Sequence, residues 1–251
     1  MRQLLLALSL LLLSSCEGLF DDIYDAPLEE EAAGKEQLYI DASSWTEWHY
    51  IDFEAIADSL QSNSLYNPSN AVVTYAIPTE AIEGDGKSGI YTYWYDVFGA
   101  GIANHEFRSF MPTKKQEEPA AWSIAIHRNN VRTNGGSVHE TSYTSMNDLP
   151  ASSEAFKDAV FAEDVWNEKD VWTVQDRMLQ GLIGNQGIHI NPTLSAWLKV
   201  HIPPVPPVFT LNSHVFILRL KNGTYAALQL KNYQNAAGKK CFLTINYKYP
   251  Y

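Results

Sequence analysis

His214-Val215-Phe216-Ile217-Leu218-Arg219-Leu220, then Lys221-Asn222-Gly223-Thr224, then Tyr225-Ala226-Ala227-Leu228-Gln229-Leu230, is the stretch whose reading decides the fold. Two runs rich in aliphatic and aromatic residues flank an Asn-Gly dipeptide, which supplies the positive φ angles of a type I′ turn. The segment predicts a hairpin with strands over 214–220 and 225–230. Downstream, Phe242 to Tyr249 reads as a last strand, in which Cys241 alternates with Leu243, Ile245 and Tyr247 on one face. An unpaired cysteine at such a position is a small buried apolar side chain rather than a nucleophile or ligand.

Working upstream, Val205-Pro206-Pro207-Val208 forbids helix, and Asn191-Pro192 opens a short helix through Leu198. Asparagine caps the free amides there, and proline suits the first helical position. Trp122, Ile124 and Ile126 alternate with Ser123, Ala125 and His127, a half-buried strand ending near Arg128, and Asn134-Gly135-Gly136 marks the next turn. Strands are also expected over Trp45–Phe53, Val72–Ile77 and Ile90–Phe98, the last following a Gly84–Gly89 turn. Between Thr141 and Gln186 the pattern loosens into loop with one helical turn around Glu154 to Val160. Seven tryptophans, fourteen tyrosines and ten phenylalanines, with frequent Val, Ile and Thr, agree with this pattern. The fold class is mainly β: a single antiparallel β-sheet domain with one or two short helices.

The beginning of the chain reads differently. Arg2 precedes an apolar run from Leu4 to Leu13, and Leu13-Ser14-Ser15-Cys16 ends it. A charged start, a short apolar core and small residues before a cysteine describe a bacterial lipoprotein signal, too short to span a bilayer. Residues 1–15 are then the signal peptide, Cys16 the lipidation site, 16–36 an acidic flexible tether and 37–251 the folded domain. Several acyl chains on one cysteine suffice for stable anchoring. Residues 1–36 hold eight acids against Arg2 and Lys35, more than half of the net charge of −11. Acidity concentrated in a tether is a solvated tail, and nothing basic favours nucleic acid. With Cys16 acylated, Cys241 has no intramolecular disulfide partner.

Motifs for catalysis are missing. Gly84-Asp85-Gly86-Lys87-Ser88 ends like a phosphate-binding loop, but its first glycine is lacking and a β-rich run follows where a helix is needed. The histidines His49, His105, His127, His139, His189, His201 and His214 fall in no metalloprotease spacing, and no Gly-x-Ser-x-Gly elbow occurs. The reading is not an enzyme. Met146 and Met178 lie in the irregular middle segment, where loops held by a rigid sheet carry binding residues.

Two stretches carry a resemblance. Trp122-Ser123-Ile124-Ala125-Ile126-His127-Arg128, continuing to Val131-Arg132-Thr133-Asn134-Gly135-Gly136, resembles the signature of the HmuY family of haem-binding lipoproteins. Leu194-Ser195-Ala196-Trp197-Leu198, Pro203-Pro204, the Val215–Leu230 hairpin and Tyr247-Lys248-Tyr249-Pro250 are similar to that family's C-terminal half in order and content. Ile40-Asp41-Ala42-Ser43-Ser44 with Trp48-His49-Tyr50 is similar to its first strands.

The resemblance implies a β domain that grips haem between long loops, at the cell surface of the outer membrane. It implies capture of haem from host haem proteins and delivery to a TonB-dependent receptor. Family members hold iron with two axial side chains, histidines or methionines. On that implication Met146 and Met178 are the expected axial ligands, His139 and His189 the reserve, and Tyr143, Trp172 and Leu179 the pocket lining. Thioether ligands favour ferrous iron and raise its reduction potential. The alternative is a surface lipoprotein of the same fold that binds a glycan, a siderophore or a protein partner, since the many aromatic rings suit sugar stacking equally.

Overall fold

The computed structural model describes residues 36–78, 81–83, 90–94, 107–112, 115–173, 182–202 and 206–251. The signal, Cys16, the acidic tether up to residue 35, the Gly84–Gly89 turn, Met178 and Leu179 lie outside the described residues. Among those described, the main antiparallel sheet has the spatial order β1 (Gln37–Asp41), β18 (Lys240–Lys248), β17 (Tyr225–Gln234), β16 (Phe216–Arg219), β9 (Ser137–Glu140), β10 (Ala162–Glu163). A second sheet runs β3 (Val73–Ala76), β2 (Glu47–Ile51), β7 (Ile124–His127), β8 (Asn130–Thr133). A third runs β12 (Leu182–Gln186), β5 (Ile90–Trp94), β6 (Phe107–Pro112), β4 (Ala81–Glu83). Two short antiparallel pairs complete the set: β11 (Val165–Asn167) with β13 (Ile188–Ile190), and β14 (Leu198–His201) with β15 (Val208–Leu211).

The hairpin 214–230 forms as β16 and β17, paired Phe216 with Leu228 and Arg219 with Tyr225. Its turn differs from the expected type I′. Only Gly223 has positive φ, at 86°, and its N–H donates to Leu220 O while Leu220 N–H donates to Thr224 O. This is a three-residue loop with one left-handed glycine, the next most common hairpin connection. Asn222 stays right-handed because its side chain is engaged, accepting from Thr224 N–H and Oγ1 at 2.9 and 2.7 Å.

Burial explains why so many strands lack alternation. Phe216, Leu218, Leu228, Leu230, Leu243 and Ile245 face Ile51, Ile124, Ile126 and Val131 across the principal core. The opposite face of β16 and β17 carries Ile217 and Ala227, covered with Val215 by Phe156 and its neighbours. Strand β7 was expected to be half-buried, yet all four of its residues are buried. Ile124 and Ile126 fill the principal core, while Ala125 packs with Trp48, Tyr50 and Trp122 on the far side. A sheet covered on both faces needs apolar residues on both.

A helix replaces the end of the expected Trp45–Phe53 strand. Strand β2 stops at Ile51, and Asp52 caps α1 (Phe53–Ser62) by accepting from Glu54 and Ala55 N–H at 3.0 and 3.3 Å. Such a cap stabilises by about 1 kcal/mol. Phe53 and Ile56 are buried in the core with Leu60 packed beside them, the i, i+3, i+7 stripe of an amphipathic helix. The second helix, α2 (Pro192–Ser195), starts where expected, with Asn191 Oδ1 accepting from Leu194 N–H at 2.9 Å. It ends before Leu198, which opens β14 instead. The expected helical turn near Glu154 is a short 3-10 helix, Ser153–Phe156. Cys241 is fully buried, as its position in the last strand implied, but at φ 66° and beside a break in the β17–β18 register.

Candidate ligand-binding site

A two-residue turn joins β7 to β8, since His127 pairs with Asn130 across it. Its first residue, Arg128, has φ 56°, a region that disfavours side chains with a Cβ by roughly 1–2 kcal/mol. The surroundings hold it there. Arg128 Nη1 donates to Ser43 O at 2.8 Å, and the guanidinium lies 3.9 Å from the Trp45 ring centroid. Trp45 in turn stacks on Trp172, with centroids 6.2 Å apart and planes 17° from parallel. A desolvated cation over an indole contributes on the order of 1–2 kcal/mol, enough to offset the backbone strain. Burial lowers the Arg128 pKa, but a guanidinium remains charged.

The segment bearing Trp172 is tied down from below. His127, fully buried, sits between Glu47 O on Nδ1 and Trp172 O on Nε2, each at 2.9 Å. A neutral imidazole donates through one nitrogen only, so both carbonyls are served only when the ring is protonated. Burial outweighs these bonds and pushes its pKa down to about 4. Trp172 Nε1 donates to Lys169 O at 2.7 Å, and Asn130 Nδ2 donates to Asp170 O at 2.8 Å. Asn191 adds a brace through its amide, donating to Ala162 O and Asp164 Oδ1 at 2.9 and 3.1 Å.

These elements wall a cavity of about 830 Å³. Trp45, Arg128 and Trp172 line it together with Ile190 from β13, Pro192 from α2 and Ala196 just after it, and Leu198, Val200, His201 and Phe209 from the β14–β15 pair. Among the described residues, Lys169, Lys199, Lys239 and Lys240 also line it, with Asp170 as the one carboxylate. A largely apolar cleft of this volume with a few convergent charges is the usual form of a small-molecule site. It can take a flat apolar body bearing negative groups.

The structure distributes the sequence-nominated residues over separate places. Trp172 lines the cavity. Met146 opens a one-turn 3-10 helix, Met146–Asp148, capped by Ser145, and packs with Tyr143 against Phe156, Val215, Ile217 and Ala227. His139 belongs to the same neighbourhood, its ring 5.9 Å from Phe156 and 5.7 Å from Phe161. His139 Nδ1 donates to Val160 O at 3.0 Å, the tautomer that leaves Nε2 as an electron-pair donor. His189 is exposed on β13, edge-on to Trp166 at 5.4 Å. None of Met146, His139, His189 or Tyr143 is among the cavity-lining residues. Met178 and Leu179 follow Trp172 in the chain, outside the described residues. Sequence reasoning missed Trp45, Arg128, Lys199, His201 and the Lys239-Lys240 pair. The arginine in a tight turn was the legible clue, whereas the others meet only through the fold.

A HmuY-like haem-binding protein, so assigned, from Bacteroides vulgatus shares 28% identity over 90% of this chain and 99% of its own, with a TM-score of 0.59. A chain from Bacteroides fragilis assigned as a lipoprotein shares 26% identity over 90% and 96%, with a TM-score of 0.58. The apo HmuY analogue of Tannerella forsythia, at 21% identity over 84% and 93% and a TM-score of 0.58, shares the fold. No curated protein matches. Residues 44–247 match the family described as HmuY protein, and the chain belongs to the HmuY family.

Proposed function

We propose that this protein is a haem-binding lipoprotein that captures haem outside the cell and passes it to a TonB-dependent outer-membrane receptor. The observation that carries the reading is the cavity beside Trp45 and Trp172, whose stacked indoles, apolar walls and cationic side chains suit a flat macrocycle that bears carboxylates. Family membership and the haem-binding assignment of the Bacteroides vulgatus relative support it. The Leu4–Leu13 run ending at Cys16 supports a lipid anchor, and the relative assigned as a lipoprotein agrees. Among the described residues no helix is long and apolar enough to cross a membrane. Host haem proteins are the proposed source, and the outer membrane, facing outward, the proposed location. Proteolysis of intact cells tests the last point, because complete protection of the folded domain contradicts surface exposure.

For the iron, Met146 and Met178 are the proposed axial pair, with His139 and His189 in reserve. Met178 is supported by its place six residues beyond cavity-lining Trp172. One observation favours a second reading for the other ligand: His201 lines the cavity, whereas Met146 packs into the cluster around Phe156. Haem titrations of Met146→Ala, Met178→Ala and His201→Ala variants in ferric and dithionite-reduced states separate the two. Methionine pairing predicts tighter binding on reduction and weakening by both methionine changes. Loss in His201→Ala with Met146→Ala unaffected establishes the second reading. A protein that shows no saturable haem binding in either redox state contradicts the function itself.

A further inference from the structure

Two parts of the chain carry opposite charge. Residues 1–36 hold eight acids against Arg2 and Lys35. The cleft, among the described residues, is lined by Arg128, Lys169, Lys199, Lys239 and Lys240 with Asp170 as the one carboxylate, and Asp170 Oδ2 already accepts from Asn167 Nδ2 at 2.6 Å. Lys169, Lys199 and Lys239 are exposed, and among the described residues none of the three is in an ion pair.

The tether is more than acidic. Leu19-Phe20-Asp21-Asp22-Ile23-Tyr24-Asp25 interleaves four apolar or aromatic side chains with three carboxylates. That composition complements a cleft walled by Ile190, Leu198, Val200 and Phe209 and lined by lysines. The length of chain suffices as well. The described residues begin at Glu36, β1 leads from Gln37 to Asp41, and Ser43 lines the cleft. The seven steps from Glu36 to Ser43 cover at most about 23 Å, whereas the eleven from Asp25 to Glu36 span up to about 36 Å when extended. Residues 19–25 therefore reach the cleft by doubling back along β1. A segment on so short a linker has an effective concentration of about millimolar, so contacts too weak to hold a separate peptide are enough.

We infer that residues 19–25 dock in this cleft as its intramolecular occupant, with Phe20, Ile23 and Tyr24 against the apolar walls and Asp21, Asp22 and Asp25 against Lys199 and Lys239. An anionic ligand of the cleft then has to displace the tether before it binds. The inference stands on the cleft and the tether sequence and goes beyond the haem reading.

The test uses the chain from residue 16, with Cys16→Ser in place of the acylated cysteine, and a water-soluble carbodiimide. The reagent joins a carboxylate to an amine in contact as an amide and takes up the water that is lost. Cross-linked peptides of the monomer are then identified by mass spectrometry. The expected result is amides from Asp21, Asp22 or Asp25 to Lys199 or Lys239, at least about fivefold more abundant than those to the exposed Lys221 and Lys231, and diminished in about 1 M salt. The triple variant Phe20→Ser/Ile23→Ser/Tyr24→Ser keeps every acid and is expected to lower the cleft cross-links by at least about fivefold, the scale of one lost apolar contact. Cross-links spread evenly over Lys199, Lys221, Lys231 and Lys239, none at the cleft, or cleft cross-links unchanged in the triple variant each overturn the inference. No ligand enters the measurement, so its failure leaves the haem reading intact, and a failure to bind haem leaves this inference standing.

Discussion

Two aromatic regions flank the sheets of this molecule, and they differ in what closes them. Around Trp45, Arg128 and Trp172 the rings line a cavity of about 830 Å³ with lysines about it. Around Phe156, the rings of Phe161, Tyr225 and Tyr251 pack with Met146 and Leu149 onto Val215, Ile217 and Ala227, covering the outer face of the main sheet. The first region is open and charged; the second is a satellite core that spares the sheet an exposed apolar face. Both contain residues a sequence reader would nominate for binding, Trp172 in one and Met146 with His139 and Tyr143 in the other. A nominated residue is therefore informative only with the surface it faces. Aromatic clusters that close on themselves serve stability, and those that leave a cleft serve recognition.

The strongest break of this contrast is Phe156→Ala. Phe156 is 7% exposed at the centre of the closed cluster. Its loss leaves a cavity and is expected to cost about 3 to 4 kcal/mol in chemical denaturation. In the molecules that remain folded, unchanged haem affinity fits ligation from the cleft by His201, whereas a large affinity loss fits ligation by Met146, which packs against Phe156, and would tie the closed cluster to binding.

Acid gives the next largest effect, and it acts on the open region. His127 has a pKa of about 4 in the fold against 6.5 ordinarily, so the unfolded chain takes up the extra proton first. The stability this contributes is present above about pH 6.5 and is lost as pH falls toward 4, by about 3 kcal/mol in all. His127→Gln is expected to flatten the pH dependence of stability over that window. A parallel slope in the variant would remove His127 from the account.

Trp172→Ala is expected to be milder in stability and selective in function. Its ring is half-buried and stacked on Trp45, a contact of about 0.5 to 1.5 kcal/mol beyond its buried area. Haem affinity should fall by about tenfold, read by Soret titration, while the denaturation midpoint shifts less than for Phe156→Ala. Equal affinity in the variant would detach the indole stack from binding.

Arg128→Gly is expected to change stability least, within about 1 kcal/mol, because relief of the positive φ offsets loss of the contact with Trp45. Its signature is a weakening of haem binding, since the guanidinium lines the cavity. Thermal denaturation together with a haem titration checks both halves.

What could be read from the chain beforehand follows the range of the forces involved. The 214–230 hairpin and the Asn191-Pro192 helix start are local: turn chemistry, capping and neighbouring apolar runs determine them. Helix α1 was hidden because Trp48, Tyr50 and Asp52 alternate with Glu47, His49, Ile51 and Phe53 as in a strand, and only Asp52 as a cap with the Phe53, Ile56, Leu60 stripe discloses the change of period. The double burial of β7 depends on Trp48, Tyr50, Val171 and Ile190 arriving from elsewhere. The cavity is the extreme case, since Trp45, Arg128, Trp172, His201 and Lys239 are far apart in sequence and share no motif. Of the nominated site residues, only Trp172 is one that the described fold places on this cleft.

The most direct test of the central claim is a haem titration of the folded chain and its Trp172→Ala variant, followed by Soret absorbance and tryptophan quenching in ferric and reduced states. The account predicts saturable one-to-one binding with quenching of the tryptophans, weakened about tenfold by the substitution. Absence of saturable binding in both redox states would contradict it and give the cleft to a glycan, a siderophore or a protein partner.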